Sequence, residues 1–394
     1  MLPVTDMERV THTQSARLAV LVAFFINGFL LATWVSRIPA VQALLSMSEG
    51  TLGLVLMGIS TGVIVALSMA GGLIGRFGSH TVTTTAGVLL CIVLLLPALM
   101  SSPPTLFLAL FVVGLVLSTM DVAMNSQAVA VEERAGRPLM SSFHAAFSIG
   151  GLAGALLGAG LVSLGLTVLA HFALVAVMAL IAMLISSRYL LDVSGEKQAG
   201  GALFRLPPRA LWGLGAVAFC VAIGEGTMHD WSGVFLAKTI GTTAAFAALG
   251  FAAFSLTMTL GRLTGDWLAT RFNPVQVVRF GGLLASLGLI TAVFSGSQYV
   301  VLLGFAAVGA GVANGIPLAF SAAGRFPGLA PGAGIAGVAT IGYAGFLAGP
   351  PLIGLVAEAT SLRVALFGAA LLVGSLVFTA QAIQPKAQLT TVTE

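Results

Sequence analysis

Two short stretches place ionisable side chains inside otherwise apolar sequence. The stretch LVLSTMDVAMNSQ carries Asp121 and Asn125, and the stretch GEGTMHDWSG carries Glu225, His229 and Asp230. A carboxylate in apolar surroundings can take up and release a proton near neutral pH. Carboxylate, imidazole and amide groups also hydrogen-bond hydroxyl groups. These residue types therefore predict a site that binds a small polar solute together with a proton.

The spacing of these residues places them on common helix faces. Ser118, Asp121 and Asn125 share one face, and Glu225 and His229, four residues apart, share another. We expect Asp121 and Glu225 to couple protons, although a structural hydrogen bond would also explain Asp121, and Asp230 could instead approach the outer surface. The side chains that we expect to contact the solute are Asn27, Trp34, Asn125, Glu225, His229, Asp230, Trp231, Asn314 and Tyr343.

The composition defines the environment in which such side chains must work. Hydrophobic residues make up 58% of the 394 residues and charged residues 8%, whereas soluble domains have roughly 25% charged residues. No water-soluble core could hide that much apolar surface, so the chain is predicted to be an integral membrane protein. The two cysteines, Cys91 and Cys220, both lie in apolar runs and predict neither a disulfide framework nor a metal site.

Apolar runs of the length that crosses a bilayer, about 20 residues, recur along the whole chain. Twelve of them predict an all-α polytopic fold of twelve transmembrane helices. The runs are 18–36, 50–75, 82–101, 105–131, 141–165, 167–189, 210–236, 244–270, 275–296, 298–322, 332–357 and 361–383.

The basic residues predict the orientation of these spans. If both termini lie on one side, that side holds thirteen of the 17 Lys and Arg residues, the opposite side holds three, and Arg262 lies within a span. The positive-inside rule then places both termini in the cytoplasm. Because this bias explains the pI of about 9.5, the positive charge does not indicate nucleic-acid binding.

An internal repeat divides the chain. Gly150-Gly-Leu-Ala-Gly154 in the fifth span recurs as Gly345-Phe-Leu-Ala-Gly349 in the eleventh, 195 residues later. The longest polar stretch, 192–209, separates six spans from six. We therefore predict two pseudo-symmetric halves, 1–191 and 210–394, joined by a cytoplasmic linker at 192–209. Such parallel repeats are typical of transporters, with the substrate site between the halves near the bilayer midplane.

Over its whole length the chain resembles the major facilitator superfamily. The stretch GGLIGRFGSH is similar to the family motif that joins spans two and three, with Gly71, Arg76 and Gly78 in matching positions. The acidic residue and the basic pair of that motif are missing here. The resemblance implies a gating role for the three matching residues, and Arg262 and Asp266, four apart in span eight, are expected to replace part of the missing charge pattern.

Span four resembles one branch of that superfamily more closely. Asp121-Val-Ala-Met-Asn125 is similar to a segment of the fucose permease branch, in which an acidic residue handles the proton during sugar–proton symport. The resemblance implies that Asp121 accepts the proton and that Asn125 is a polar contact. That branch also has an acidic residue late in span one, where this chain has only Asn27, Trp34 and the flanking Arg37 as polar or amphipathic residues, which argues against fucose itself. The stretches WVSRIPAVQ and MHDWSG are similar to a subgroup of bacterial inner-membrane permeases.

Together these features predict a monomeric secondary transporter of the bacterial inner membrane. It would move a sugar-like polar solute by proton symport and alternating access, with no cofactor and no metal. The sequence has no HExxH or Walker-type motif, and its GxSxG pattern, Gly58-Ile-Ser60-Thr-Gly62, lies inside a predicted span and not at a strand-to-helix turn, which argues against an enzyme. A proton-coupled drug or metabolite exporter is the alternative, and it would need a more apolar cavity around Asp121.

Overall fold

The computed structural model describes residues 4–137, 139–192, 208–327, 329 and 331–384, and within these ranges the side chains of residues 4–12, 141, 266, 269, 270, 331 and 332 are not described. All regular structure in the described residues is helical. The helices are α1 (Val4–Val35), α2 (Ile38–Leu44), α3 (Glu49–Val93), α4 (Leu96–Leu99), α5 (Pro103–Ala135), α6 (Met140–Ser163), α7 (Val168–Ser187), α8 (Trp212–Val234), α9 (Ala244–Leu263), α10 (Gly265–Arg271), α11 (Pro274–Phe294), α12 (Gln298–Val312), α13 (Gly315–Gly324), α14 (Pro331–Ala359), α15 (Leu362–Gly374) and α16 (Leu376–Thr379). Three short helical turns, Arg209–Leu211, Phe235–Ile240 and Ala380–Ile383, continue or precede these helices.

The helices confirm the predicted twelve crossings. Eleven helical stretches are long and apolar enough to cross a membrane, and one of them, Glu49–Leu99, is 51 residues long. That stretch holds two crossings, because Gly78 interrupts α3 with φ 77° and ψ 151°. A side chain at this φ would be strained, so glycine is the residue that allows the bend. The sequence motif that contains Gly78 therefore lies at the turn between the second and third crossings.

Polar residues mark where several helices begin. Ser48 accepts a hydrogen bond from the Thr51 amide at 3.2 Å, at the start of α3. Thr243 does the same for the Phe246 amide at the start of α9. The first amides of a helix have no partner within it, so a hydroxyl placed just before the first turn stabilises that end.

The helices pack as two groups. Among the helices that precede residue 192, α1 packs on α6 and α7, and α3 packs on α5. Among those that follow residue 208, α8 packs on α14, and α12 packs on α9 and α11. The groups meet mainly where α3 contacts α14 and where α6 contacts α9. This arrangement is the predicted pair of six-helix halves. The division at residues 191 and 210 stays a prediction, because most of the linker, 193–207, lies outside the described residues.

Contacts between the halves hold α3 against α14 near the start of α3. A β-carbon added to Gly53 would lie 2.5 Å from the Pro350 carbonyl oxygen, so only glycine permits this approach. At the same end, Lys238 Nζ lies 2.9 Å from Glu49 Oε1. Toward the bend of α3, by contrast, a β-carbon on Gly72 would meet no atom within 4 Å. The halves are therefore closed at the end of the molecule that carries Glu49.

Candidate functional site

A cavity of about 350 Å³ lies between the two halves. Its walls come from α1, α3, α5 and α6 on one side and from α8, α9 and α14 on the other. The polar side chains that line it are Asn27, Ser60, Ser118, Asp121, Ser148, Glu225, His229, Asp230, Ser255, Arg262 and Tyr343. Its volume is in the range of small-molecule binding sites. The cavity therefore brings together most of the residues that the sequence marks as candidates.

Asp121 enters this cavity from α5 of the first half. Asn125, one turn further along the same helix, donates from Nδ2 to the Asp121 main-chain oxygen at 2.8 Å and reaches its Oδ1 only at 3.4 Å. The second contact is at the limit for a hydrogen bond. Among the described residues Asp121 forms no ion pair. The carboxylate therefore lines the cavity without a countercharge of its own.

Glu225 enters the cavity from α8 of the second half, and it does have a countercharge. Arg262 Nη2, on α9, lies 3.1 Å from Glu225 Oε1, and the Glu225 residue is 8% exposed. The sequence pairs Arg262 with Asp266 instead, on the assumption that both lie on one continuous helix. A turn at Thr264, with φ −93° and ψ −2°, separates α9, which holds Arg262, from α10, which holds Asp266. The side chain of Asp266 lies outside the described residues, so its pairing with Arg262 and the gating role of both residues stay predictions.

His229 and Asp230 line the cavity beside Glu225. The His229 ring lies 4.7 Å from the ring of Phe251 and 6.0 Å from that of Phe254, centroid to centroid. These two aromatic contacts fix the plane of the imidazole, as edge and offset contacts between rings do. The imidazole is thus held at the cavity wall next to the ion pair.

Asn27, Trp34 and Tyr343 complete the expected residues that reach the cavity. Asn27 Nδ2 donates to the Leu117 carbonyl at 3.1 Å, which ties α1 to α5 beside Asp121. Trp34 is 1% exposed and contributes an apolar wall. Tyr343 approaches from α14, in the opposite half.

Three residues expected to contact the solute do not line this cavity. Asn125 bonds back to its own helix, as described above. Trp231 is fully buried, at 0% exposed. Asn314 Nδ2 donates to the Gly261 carbonyl at 3.2 Å and so joins α9 to the start of α13. Asn125 and Asn314 are therefore held by hydrogen bonds within their own halves.

The expected gating residues Gly71, Arg76 and Gly78 lie at the bend of α3, away from the cavity lining. The Arg76 guanidinium lies 5.2 Å from the centre of the Phe77 ring, a cation–π distance. A β-carbon on Gly71 would meet no atom within 4 Å. Their gating role stays a prediction.

A cross-half hydrogen bond at the cavity was missed from the sequence. Ser60 Oγ, on α3, donates to the Phe346 carbonyl, on α14, at 3.1 Å. Pro350 lies inside α14, four residues after Phe346, and has no N–H to donate to that carbonyl. The proline predicts an unpaired carbonyl at Phe346, but only the packing of the two halves identifies Ser60 as its partner.

The chain is similar to known proteins that share this architecture. The family model of the Major Facilitator Superfamily matches residues 20–228. An uncharacterised MFS-type transporter of Yersinia pestis is 38% identical over 369 residues, which is 94% of this chain and 96% of that protein. The nucleoside transporter NupG superposes with a TM-score of 0.71 at 16% identity, over 94% of this chain and 100% of that one. A variant of the E. coli fucose:proton symporter FucP gives 0.62 at 17% identity, over 94% and 98%.

Proposed function

The chain belongs to the Major Facilitator Superfamily of transporters, and we propose that it moves a small, sugar-like polar solute across a bacterial inner membrane by proton symport. One observation carries this proposal: Asp121 lines a cavity between the two halves and has no cationic partner among the described residues. A lone carboxylate in an apolar protein interior is costly when charged. Binding a proton removes that cost, so Asp121 is suited to carry one.

The solute class follows from the lining of the cavity. Amide and hydroxyl groups from Asn27, Ser148, Ser255 and Tyr343 line the same cavity as the Asp121 carboxylate. Such groups pair with the hydroxyl groups of a sugar or polyol. The rings of Trp34, Phe147, Phe251, Phe254 and Phe346 line the same cavity and can pack on the apolar face of a sugar ring. Two structures of the same fold come from a nucleoside transporter and a fucose:proton symporter, which supports a solute that contains a sugar.

The coupling of solute to proton depends on whether Asp121 is protonated when the cavity closes on one side and opens on the other. A charged Asp121 resists burial in a closed cavity, whereas a protonated Asp121 with bound solute does not. One proton moving through 100 mV supplies about 2.3 kcal/mol, enough for roughly 40-fold accumulation of an uncharged solute. Glu225 is the second candidate for proton uptake, and there the proton would have to displace Arg262.

The proposed orientation places both termini in the cytoplasm, as the basic residues predict. The end of the molecule closed by Glu49 and Lys238 then faces the periplasm. Solute would reach the cavity from the two sides in turn as the halves rock about it. We propose that one copy of the chain suffices, since the cavity lies within a single chain.

Proton-coupled export of an amphipathic compound is the second candidate, because part of the cavity wall is apolar. Its apolar lining includes Leu31, Val35, Leu56, Ile59, Val63, Ile64 and Leu117. Antiport would use the same Asp121, with proton and solute bound in turn and not together.

The test uses purified protein in liposomes that enclose a pH-sensitive dye. Sugars, polyols and amphipathic compounds are added outside, and the pH inside is followed for the wild type, Asp121→Asn and Glu133→Gln. Glu133 is an exposed acid near the end of α5, outside the cavity, and serves as the matched control. Symport predicts acidification with a sugar-like solute in the wild type and the control but not in Asp121→Asn. Alkalinisation driven by amphipathic compounds alone would favour the exporter.

A further inference from the structure

A second cavity, of about 450 Å³, lies apart from the solute cavity. It is formed where the beginning of the first crossing meets the connection between α5 and α6. Gln14, Arg17 and Leu18 line it from α1, and Arg137 and Leu139 line it from that connection. None of its lining residues belongs to the solute cavity.

This second cavity is positively charged. Two guanidinium groups, those of Arg17 and Arg137, line it, and no carboxylate among the described residues does. Neither arginine forms an ion pair within the part of the chain that the structure describes. Arg17 Nε is buried and has no hydrogen-bond partner in the described part of the chain. A buried N–H without an acceptor is costly, so a bound acceptor would stabilise it.

One acid next to this cavity, Glu132, is already engaged. Glu132, in the last turn of α5, accepts hydrogen bonds through Oε2 from the Leu139 amide at 2.6 Å and the Met140 amide at 2.9 Å. These amides start α6, and a carboxylate at a helix N-terminus is stabilised there. The carboxylate of Glu132 therefore caps α6 and does not line the cavity with Arg17 and Arg137.

The position of the cavity and its apolar lining residues indicate which kind of anion it would bind. Arg17 directly precedes the apolar run 18–36, which is predicted to be the first span, so it is expected at the cytoplasmic end of that span. Leu18, next to Arg17, is 65% exposed, and Leu21 extends the same apolar wall. Guanidinium groups recognise phosphate oxygens through paired hydrogen bonds. A phosphate joined to an acyl chain matches both parts of the surface, whereas inorganic phosphate matches only the charge.

We propose that this cavity binds the phosphate of an anionic phospholipid, with Arg17 and Arg137 as its ligands and Leu18 and Leu21 against its acyl chain. Basic pockets between transmembrane helices on the cytoplasmic side are suited to anionic headgroups. The proposal depends on the placement of the chain in the membrane, but not on the solute or on the proton.

The test is a titration of the purified full chain, in an uncharged detergent, with fluorescent phosphatidylglycerol. Arg17→Ala/Arg137→Ala should weaken binding on the order of 30-fold, from about 1 kcal/mol for each basic residue. The matched control is Arg188→Ala/Arg271→Ala, which removes two exposed arginines from the same predicted face but outside the cavity. Binding to the control should stay within about twofold of wild type.

A third variant keeps the test valid if the alanine variant does not fold. Arg17→Lys/Arg137→Lys retains both charges but loses the paired geometry, so its affinity should lie between those of the wild type and the alanine variant. Equal weakening in the Arg188/Arg271 control would overturn the proposal, because binding would then follow overall surface charge. Displacement by inorganic phosphate at the same concentration as unlabelled phosphatidylglycerol would also overturn it, since the site would then recognise free phosphate.

Discussion

The two halves present carboxylates to one cavity in different electrostatic settings. Asp121 of the first half has no countercharge among the described residues, whereas Glu225 of the second half lies 3.1 Å from Arg262. A proton can bind Asp121 without breaking an ion pair, but at Glu225 it must replace a guanidinium. Two similar halves can therefore hold carboxylates with different properties. The unpaired carboxylate of Asp121 suits a proton carrier, whereas the protonation of Glu225 depends on its ion pair with Arg262.

The largest expected effect comes from removing the charge that has no partner. In Asp121→Asn the solute should no longer accumulate, so a gradient of roughly 40-fold at 100 mV falls to none. Exchange of labelled for unlabelled solute should persist, because it needs no net proton movement. Uptake and exchange in proteoliposomes measure the two processes separately. Equal loss of both, together with loss of solute binding, would make Asp121 a solute contact and remove the contrast with Glu225.

The contact of α3 with α14 closes one end of the cavity that both carboxylates line. Gly53→Leu places a side chain where a β-carbon already lies 2.5 Å from the Pro350 carbonyl oxygen. Overpacking of this kind costs about 1–3 kcal/mol. Transport should fall on the order of tenfold or more, and the Glu49 end should become accessible to a thiol reagent at an introduced cysteine. Gly160→Leu, at an exposed position of α6 where a β-carbon would meet no atom within 4 Å, is the control and should transport normally.

Removing Arg262 would leave Glu225 without its countercharge, as Asp121 is among the described residues. Arg262→Ala leaves a nearly buried carboxylate without its partner, at an expected cost of about 1–3 kcal/mol in stability. The midpoint of thermal unfolding in detergent should fall by several degrees. Glu225→Gln/Arg262→Ala should regain most of that loss, because no charge is left unpaired. If the double variant were as unstable as the single one, the ion pair would not be the reason for the difference between the halves.

The smallest effect is expected at the ion pair outside the cavity. The side chains of Lys238 and Glu49 are 42% and 28% exposed. Exposed pairs contribute about 0.2–1 kcal/mol, and salt screens them. Glu49→Gln should change the transport rate by less than about fivefold at low ionic strength and leave it unchanged at high salt. A large, salt-independent loss would mean that Glu49 acts on the cavity as strongly as Glu225 does.

The crossings could be predicted because the bilayer imposes a length on every apolar run. All twelve predicted spans correspond to helices, and Gly78, in the predicted polar break, bends α3 between two of them. The break at Thr264 could not be predicted, because 244–270 reads as one apolar run that ends in a few polar residues. Breaks of this kind depend on tertiary packing, and a pattern of hydrophobicity does not report them.

The charged residues of the site could be predicted, because charged side chains are rare in membrane spans. Asp121, Glu225 and Asp230 were identified because each is costly there, and all three line the cavity. Ser60, Ser148 and Ser255 also line it, but serine is common in membrane helices and gives no signal. Other polar residues, such as Asn314, join helices within one half. Which way a helix face turns depends on its neighbours, so polarity alone cannot separate the two uses.

The proline in α14 links the closure of the halves to hydration. Because Pro350 has no N–H, the Phe346 carbonyl has Ser60 of the opposite half as its hydrogen-bond donor. When the halves part at this end, the carbonyl must take its hydrogen bond from water. Opening therefore wets α14 at a fixed point beside the cavity, and closing expels that water. Loss of water from this carbonyl would then accompany the loss of water from a solute that enters the closing cavity.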